Sequence, residues 1–236
     1  MSHRTHGQTA PLQPWHETHP SAAQLPLPLW AREPAVLPGA LLGDSTLLDA
    51  LVTHGQRFAC LYADPPWQYT NTATRAAARN HYATLTLEAL QALPVRQLTA
   101  TNAHLHLWTT NAMLPEALQV MRAWGFSYKT MLVWCKPHIG LGNYWRNATE
   151  VLLLGVKGSL PFRDHGQRNW VVQKRGVHSR KPDRIRHLIE TVSPPAYLEL
   201  FAREAVPNWV CWGNAIEPTL LSPPGCAAPL SRSPTR

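Results

Sequence analysis

The chain has 236 residues, with 22 Lys plus Arg against 14 Asp plus Glu, a formal net charge of +8 and a pI near 9.7. At 44% hydrophobic and 15% charged it is too apolar for general disorder, and its length suits one domain with its own core. No window approaches the roughly 18 consecutive apolar residues a membrane-spanning helix needs, and Met1 to Pro20 lacks the apolar stretch of a secretory signal, so a soluble, cytoplasmic protein without membrane association is expected.

Proline marks the ends of the core. Of 22 prolines, seven fall in residues 1–40 and five in residues 217–236. Because proline removes a backbone donor and blocks helix interiors, residues 1–40 and 217–236 read as flexible flanks around a domain at 41–216. Within it, Phe58 to Ala63 is a continuous apolar run of buried-strand length and Leu85 to Leu93 is a helical candidate. His104 to Trp108 alternates like a strand, and Pro115 to Trp124 fits a helix with proline in its first turn. Strands follow at Tyr128 to Cys135 and Glu150 to Val156. Pro182 to Val192 places Ile185, Leu188, Ile189 and Val192 at helical spacing, and strands at Leu198 to Phe201 and Trp209 to Trp212 close the series. Alternating strands and helices imply an α/β layered fold with a mostly parallel sheet and ligands at the carboxyl ends of the strands.

Cys60, Cys135, Cys211 and Cys226 lie far apart, without zinc-ligand spacing, and read as isolated thiols. His104 and His106 share a strand face, but no third ligand is placed beside them, so no metal is expected.

The first strand ends in Asp64-Pro65-Pro66-Trp67. That puts a carboxylate, a stiff backbone and an indole where such folds bind ligands. The chemistry suits an exocyclic amine on a planar base: Asp64 accepts one amine hydrogen, the carbonyl of Pro65 the other, and Trp67 or Tyr69 stacks on the ring. Two acceptors draw the nitrogen lone pair toward an electrophile. Read alone, the tetrapeptide is also compatible with a strand ending in a Pro-Pro turn and a core tryptophan.

The run Tyr62-Ala-Asp-Pro-Pro-Trp67, followed by Asn80-His-Tyr82 and Thr84, resembles the MT-A, or DPPW, family of S-adenosylmethionine-dependent adenine-N6 methyltransferases. Further matches come in family order: Gly142 to Asn147, Glu150 to Gly155, His178 to Pro182, Glu199 to Arg203, then Pro207-Asn-Trp209 and Trp212-Gly-Asn214. The resemblance implies a Rossmann-like class I methyltransferase fold with β-type motif order, and S-adenosyl-L-methionine as cofactor. It implies that Asp64, Pro65, Pro66 and Trp67 form the catalytic motif, with Asp64 also near the cofactor's amino group. Lys181 would then pair with the methionyl carboxylate, Glu199, Arg203 and Asn214 would surround the ribose and adenine, and Asp44 would lie near the adenine. Tyr69, His81, Tyr82, Tyr144 and Trp145 fall to the substrate side. Ala202, where the family often has Gly, and Ala215, where Gln or Glu is common, depart from the pattern.

Charge is localised. Residues 157–187 hold nine Lys or Arg against Asp164 and Asp183. Arg163, Arg168, Lys174 and Arg175, interleaved with His165, Trp170 and His178, read as a track for nucleic acid, phosphate contacts combining with stacking. The expected partner is nucleic acid, DNA before RNA; a homodimer or a partner subunit stays open. The expected activity is methyl transfer to N6 of adenine in DNA. RNA adenosine methylation, N4 methylation of cytosine and a non-catalytic nucleic-acid-binding partner subunit are the alternatives.

Overall fold

The computed structural model describes residues 46–69, 84–140, 144–176 and 180–213. In chain order these form α1 (Thr46–Thr53), β1 (Phe58–Ala63), α2 (Leu87–Ala92), α3 (Val95–Leu98), β2 (Thr99–Thr109), α4 (Leu114–Ala123), β3 (Ser127–Cys135), β4 (Thr149–Lys157), β5 (Trp170–Val172), α5 (Asp183–Val192), β6 (Tyr197–Leu200) and β7 (Trp209–Trp212). The strands make one seven-stranded sheet in the order β5-β3-β4-β2-β1-β6-β7. Four pairings are parallel, and β4 alone runs against its neighbours β2 and β3. One edge of the sheet therefore collects six strand carboxyl ends together with the start of β4.

Side chains alternate across each strand, so the sheet buries two separate cores. Leu61, Ala63, Leu105, Leu107, Leu153, Leu198 and Leu200 pack under α1 to α4, which contribute Leu48, Leu90, Leu98, Val120 and Met121. Cys60, Tyr62, Trp108, Trp134, Leu152, Tyr197 and Trp209 pack under α5 through Ile185 and Ile189. Trp209 stacks on Tyr197 at 4.6 Å between ring centroids, meets Tyr62 edge-on at 6.1 Å, and donates its indole N–H to Glu190 on α5 at 2.7 Å. Its partners fix α5 over β1, β6 and β7.

β1 and β7 have the boundaries expected from sequence, while β2 begins five residues earlier than its apolar run because Thr99 still pairs with Phe58 across a bulge. Strand β5, three residues long, is too short to show a period. Among the described residues no helix is long and apolar enough to cross a membrane, no group of three or more metal-ligating side chains is assembled, and Cys60, Cys135 and Cys211 are free thiols.

His104 and His106 hold a polar chain inside the α5 core. Leu160's carbonyl accepts from His104 Nε2 at 3.1 Å, which leaves Nδ1 to accept the Ser193 hydroxyl at 2.9 Å; Ser193 Oγ in turn accepts from His106 Nε2 at 2.9 Å. Burial, with a smaller contribution from His104, pushes His106 down from 6.5 to about 3. Between those values the unfolded chain takes up a proton that the native chain refuses, so stability falls as pH falls through the window, by up to about 1.4 kcal/mol per pH unit for one such group. Urea unfolding at several pH values should show a shallower acid loss for His106→Gln than for the wild type. Parallel pH dependences would mean that His106 is not the group responsible.

Candidate active site

Asp64 follows the last residue of β1, Thr110 follows β2, Lys136 follows β3, and Glu150 is the second residue of the reversed β4; all four stand on the carboxyl edge. Lys181, two residues before α5, completes the group. Its ammonium donates to both oxygens of Asp64, at 2.7 and 2.6 Å, and pairs with Glu150 at 3.3 Å. Glu150 also takes the ammonium of Lys136. The result is an alternating chain, Asp64, Lys181, Glu150, Lys136, whose formal charge sums to zero. Each ammonium rides on an indole, Lys181 at 5.3 Å from the Trp108 ring and Lys136 at 4.8 Å from the Trp134 ring.

Burial alone would push the Lys181 ammonium down, but Asp64 and then Glu150 more than reverse it and hold it above its ordinary value. Glu150 is partly buried, which alone would push it up, but Lys181 followed by Lys136 holds it below the usual carboxylate range. Lys136 goes the other way, because desolvation outweighs the pull of Glu150.

The Asp-Pro-Pro-Trp segment folds as a tight turn. The Trp67 N–H donates to the Pro65 carbonyl at 2.9 Å and the Leu85 N–H to the Pro66 carbonyl at 3.0 Å. One lone pair on the Pro65 oxygen remains for a further donor. Trp67 is a core residue: it is buried, and its indole N–H donates to the Trp108 carbonyl at 3.1 Å. The aromatic surface left on this loop is Tyr69, 48% exposed, its hydroxyl 3.1 Å from Thr110 Oγ1.

Glu199 on β6 lies beside Tyr62 in the pairing of β1 and β6 and is gripped by Arg186 of α5, with Nη2 at 2.9 and 3.2 Å from its two oxygens and Nε at 3.2 Å. Burial pushes Glu199 up against the opposing effect of Arg186. Arg186 and Arg180 both reach Glu204, at 3.5 and 2.9 Å. Arg203 is exposed in the turn that follows β6. Ala202 is buried, and opposite it Gly213 tolerates no side chain, since a Cβ there would stand 2.1 Å from the Ala202 carbonyl oxygen. Asp44, His81, Tyr82 and Asn214 lie outside the described residues.

Residues 157–187 are divided between the two ends of the sheet. Arg163 donates its backbone N–H to Val192 at the end of α5 and approaches Tyr197 at the start of β6, so it stands on the amino edge, away from Asp64. Arg175 stands on the carboxyl edge and lines a recess of about 310 Å³ with Thr110, Asn111, Lys136 and Glu150. Lys174 precedes it, Trp170 opens the outer strand β5, and Arg168 stands two residues before that strand. Tyr144 and Trp145, 96% and 90% exposed, project from the β3–β4 connection. A second recess, about 370 Å³, opens between Trp67, Tyr69, Leu85, Met113 and Glu116.

Sequence reasoning missed Glu150, Lys136 and Arg186. Glu150 carries a local signal, a lone acid at the mouth of the apolar run Val151 to Leu154, but its importance comes from the reversal of β4.

A seven-stranded mixed sheet flanked by helices, with an Asp-Pro-Pro-Trp turn and a lysine closed on its aspartate at the carboxyl edge, defines a Rossmann-like methyltransferase. Residues 58–215 match the MT-A70 family, and the chain belongs to this family of N6-adenine methyltransferases. It is 33% identical over 184 residues to the type II methyltransferase M.MunI of a Mycoplasma species, covering 68% of this chain and 78% of that protein. It is 28% identical to the human N(6)-adenine-specific methyltransferase METTL4, over 75% of this chain and 41% of the relative. With the N6-methyladenosine RNA methyltransferase MTA1 of Cryphonectria parasitica it shares 28% identity, over 71% of this chain and 54% of the relative. The chain thus spans most of the first of these and about half or less of the other two.

Removing the shared ammonium leaves the partly buried Asp64 carboxylate without its cation beside Glu150, which keeps Lys136. Lys181→Met is expected to lower stability by about 3 kcal/mol at pH 7, the low end of the cost of orphaning a buried charge. The deficit should shrink toward pH 5, because a carboxylate left without its cation beside a second carboxylate relieves the repulsion by taking up a proton. Urea unfolding of both proteins at the two pH values checks this; a deficit independent of pH would assign it to packing.

Proposed function

We propose that this chain methylates N6 of adenine in DNA with S-adenosylmethionine as the methyl source. The observation that supports the reading is the Asp64-Pro65 step after the end of β1 in an MT-A70 chain, with the Pro65 carbonyl held by the Trp67 N–H and the Asp64 carboxylate held by Lys181. Identity of 33% with M.MunI, against 28% with an enzyme whose name specifies RNA, favours DNA as the polymer.

The donor set fits the cofactor. An amino-acid tail carries one ammonium and one carboxylate, and the Lys181–Asp64 pair offers the complementary charges at 2.6 Å. Glu199, across from Tyr62 on the same face, offers acceptors for ribose hydroxyls in the crevice between β1 and β6. When bound, S-adenosylmethionine supplies an electrophilic methyl group. Asp64 and the Pro65 carbonyl hold the two hydrogens of the target amine, and Tyr69 presents its face to the ring. During transfer the nitrogen becomes positive, so both hydrogen bonds strengthen as charge develops, which lowers the barrier without prior deprotonation. The proton leaves afterwards to solvent. Glu150 keeps Lys181 in place while Asp64 turns to its ligands. In a duplex the target base must leave its stack, which costs a few kcal/mol.

Asp64→Ala is expected to reduce transfer by about 100- to 1000-fold in a folded protein, with Glu150 still holding Lys181. Labelled-methyl transfer to matched DNA and RNA oligonucleotides, followed by nucleoside analysis, measures this and identifies the polymer; near-normal turnover of the variant would dismiss the site. The split of the basic run gives a second expectation. Replacing Lys174 and Arg175 with Gln should flatten the slope of log K against log salt by up to roughly two units, whereas Arg163→Gln should leave it unchanged. Equal effects at both ends of the sheet would argue for diffuse attraction rather than a track.

A further inference from the structure

Strand β5 ends the sheet, paired on one side with β3 and on the other with no described strand. Its middle residue, Val171, is buried in the α5 core, and the residues on either side turn outward: Trp170 is 46% and Val172 58% exposed. The strand is nonetheless rigidly seated. Val133 donates its backbone N–H to Asn169 at 2.8 Å, Gln173 donates to Cys135 at 3.1 Å, and the Trp134 indole donates to the Gln173 carbonyl at 2.8 Å. A large indole is thus held at the sheet edge without being used in the core. The guanidinium of Arg168 lies against its ring, 5.5 Å from the centroid.

The surroundings are cationic. Arg168 precedes the strand, Lys174 and Arg175 follow it, and Arg175 reaches the recess shared with Lys136 and Glu150. From Lys157 to Pro182 the acidic side chain is Asp164, whose carboxylate is occupied within its own loop by the Gly166 N–H at 2.8 Å and Gln167 at 2.6 Å. Arg175 follows Trp170 by five positions, at most about 17 Å of extended chain. A strand entering the site at Arg175 therefore passes the indole within a few nucleotides.

We infer that Trp170, backed by Arg168, is a stacking platform for an unpaired base of the nucleic-acid strand flanking the target, with Lys174 and Arg175 holding the intervening phosphates. Aromatic faces accept any base, whereas phosphate contacts respond to salt. The platform thus adds affinity and length dependence without sequence preference. Stacking beside a guanidinium is compatible with the ring remaining partly exposed in the free protein. The inference rests on the nucleic-acid reading above and extends it to a surface outside the Asp-Pro-Pro-Trp site.

The test is equilibrium binding, by fluorescence anisotropy, of a labelled single-stranded DNA oligonucleotide containing one adenine, and of a strand of equal length in which the flanking positions are abasic. Trp170→Ala should bind the normal strand about tenfold more weakly with an unchanged salt slope, and Trp170→Phe should keep most of the affinity. The abasic strand should bind equally to wild type and both variants. In transfer assays the loss should fall on KM for the strand, while the dissociation constant for S-adenosylmethionine stays as in the wild type. Wild-type affinity in Trp170→Ala would overturn the platform and leave the nucleic-acid reading standing. A wild-type protein that binds neither DNA nor RNA strands in the presence of S-adenosylmethionine would overturn both.

Discussion

One ammonium group organises the carboxyl edge of the sheet. Lys181 is shared between Asp64 at the end of β1 and Glu150 at the start of β4, so a single side chain ties the entrance of α5 to two strands. An ammonium buried without such partners would be lost to neutralisation, and two carboxylates this close without it would repel. Lys181 is held in its charged form by Asp64 and Glu150, and Glu150 by Lys181 and Lys136. Lys136 extends the same logic by one step, and Trp108 and Trp134 supply the floor on which both cations rest.

Arg186 repeats the device within α5 itself. Its two-pronged contact to Glu199 fastens the helix to β6, and its reach to Glu204 shapes the turn that follows. The face of the sheet that carries Asp64 and Glu199 is consequently covered by a helix seated by Ile185 and Ile189 and tied down by the Arg186–Glu199 ion pair in its first half and the Trp209–Glu190 hydrogen bond near its end.

How far the sequence speaks for the structure depends on whether a residue's meaning is local. Phe58 to Ala63 and Trp209 to Trp212 are wholly apolar runs with polar or conformationally restricted residues at their ends, and both strands have the expected limits. Asp64-Pro65-Pro66-Trp67 is visible because a carboxylate beside two prolines has few structural uses. Trp67 shows the limit of that reading, since its neighbours in sequence do not reveal that its indole is spent on the Trp108 carbonyl. Glu150 and Lys136 become partners because β4 runs backwards, a property of the whole sheet. Arg163 and Arg175 look alike in a run of basic residues, yet the chain between them traverses the depth of the sheet and leaves them at opposite edges.

The reversal of β4 has a consequence for how such a domain diversifies. Because β3 and β4 form a hairpin, their connection leaves and re-enters the sheet at the functional edge, its stem closed by the Lys136 N–H on the Ala148 carbonyl and the Gly140 N–H on the Asn147 carbonyl, both at 2.7 Å. A crossover connection would have had to travel to the opposite edge and back. Lengthening a hairpin loop costs only about 0.6 kcal/mol per doubling. The tip that carries the exposed Tyr144 and Trp145 can therefore be rewritten by insertion or deletion while Glu150, the sheet and the lysine clasp keep their places.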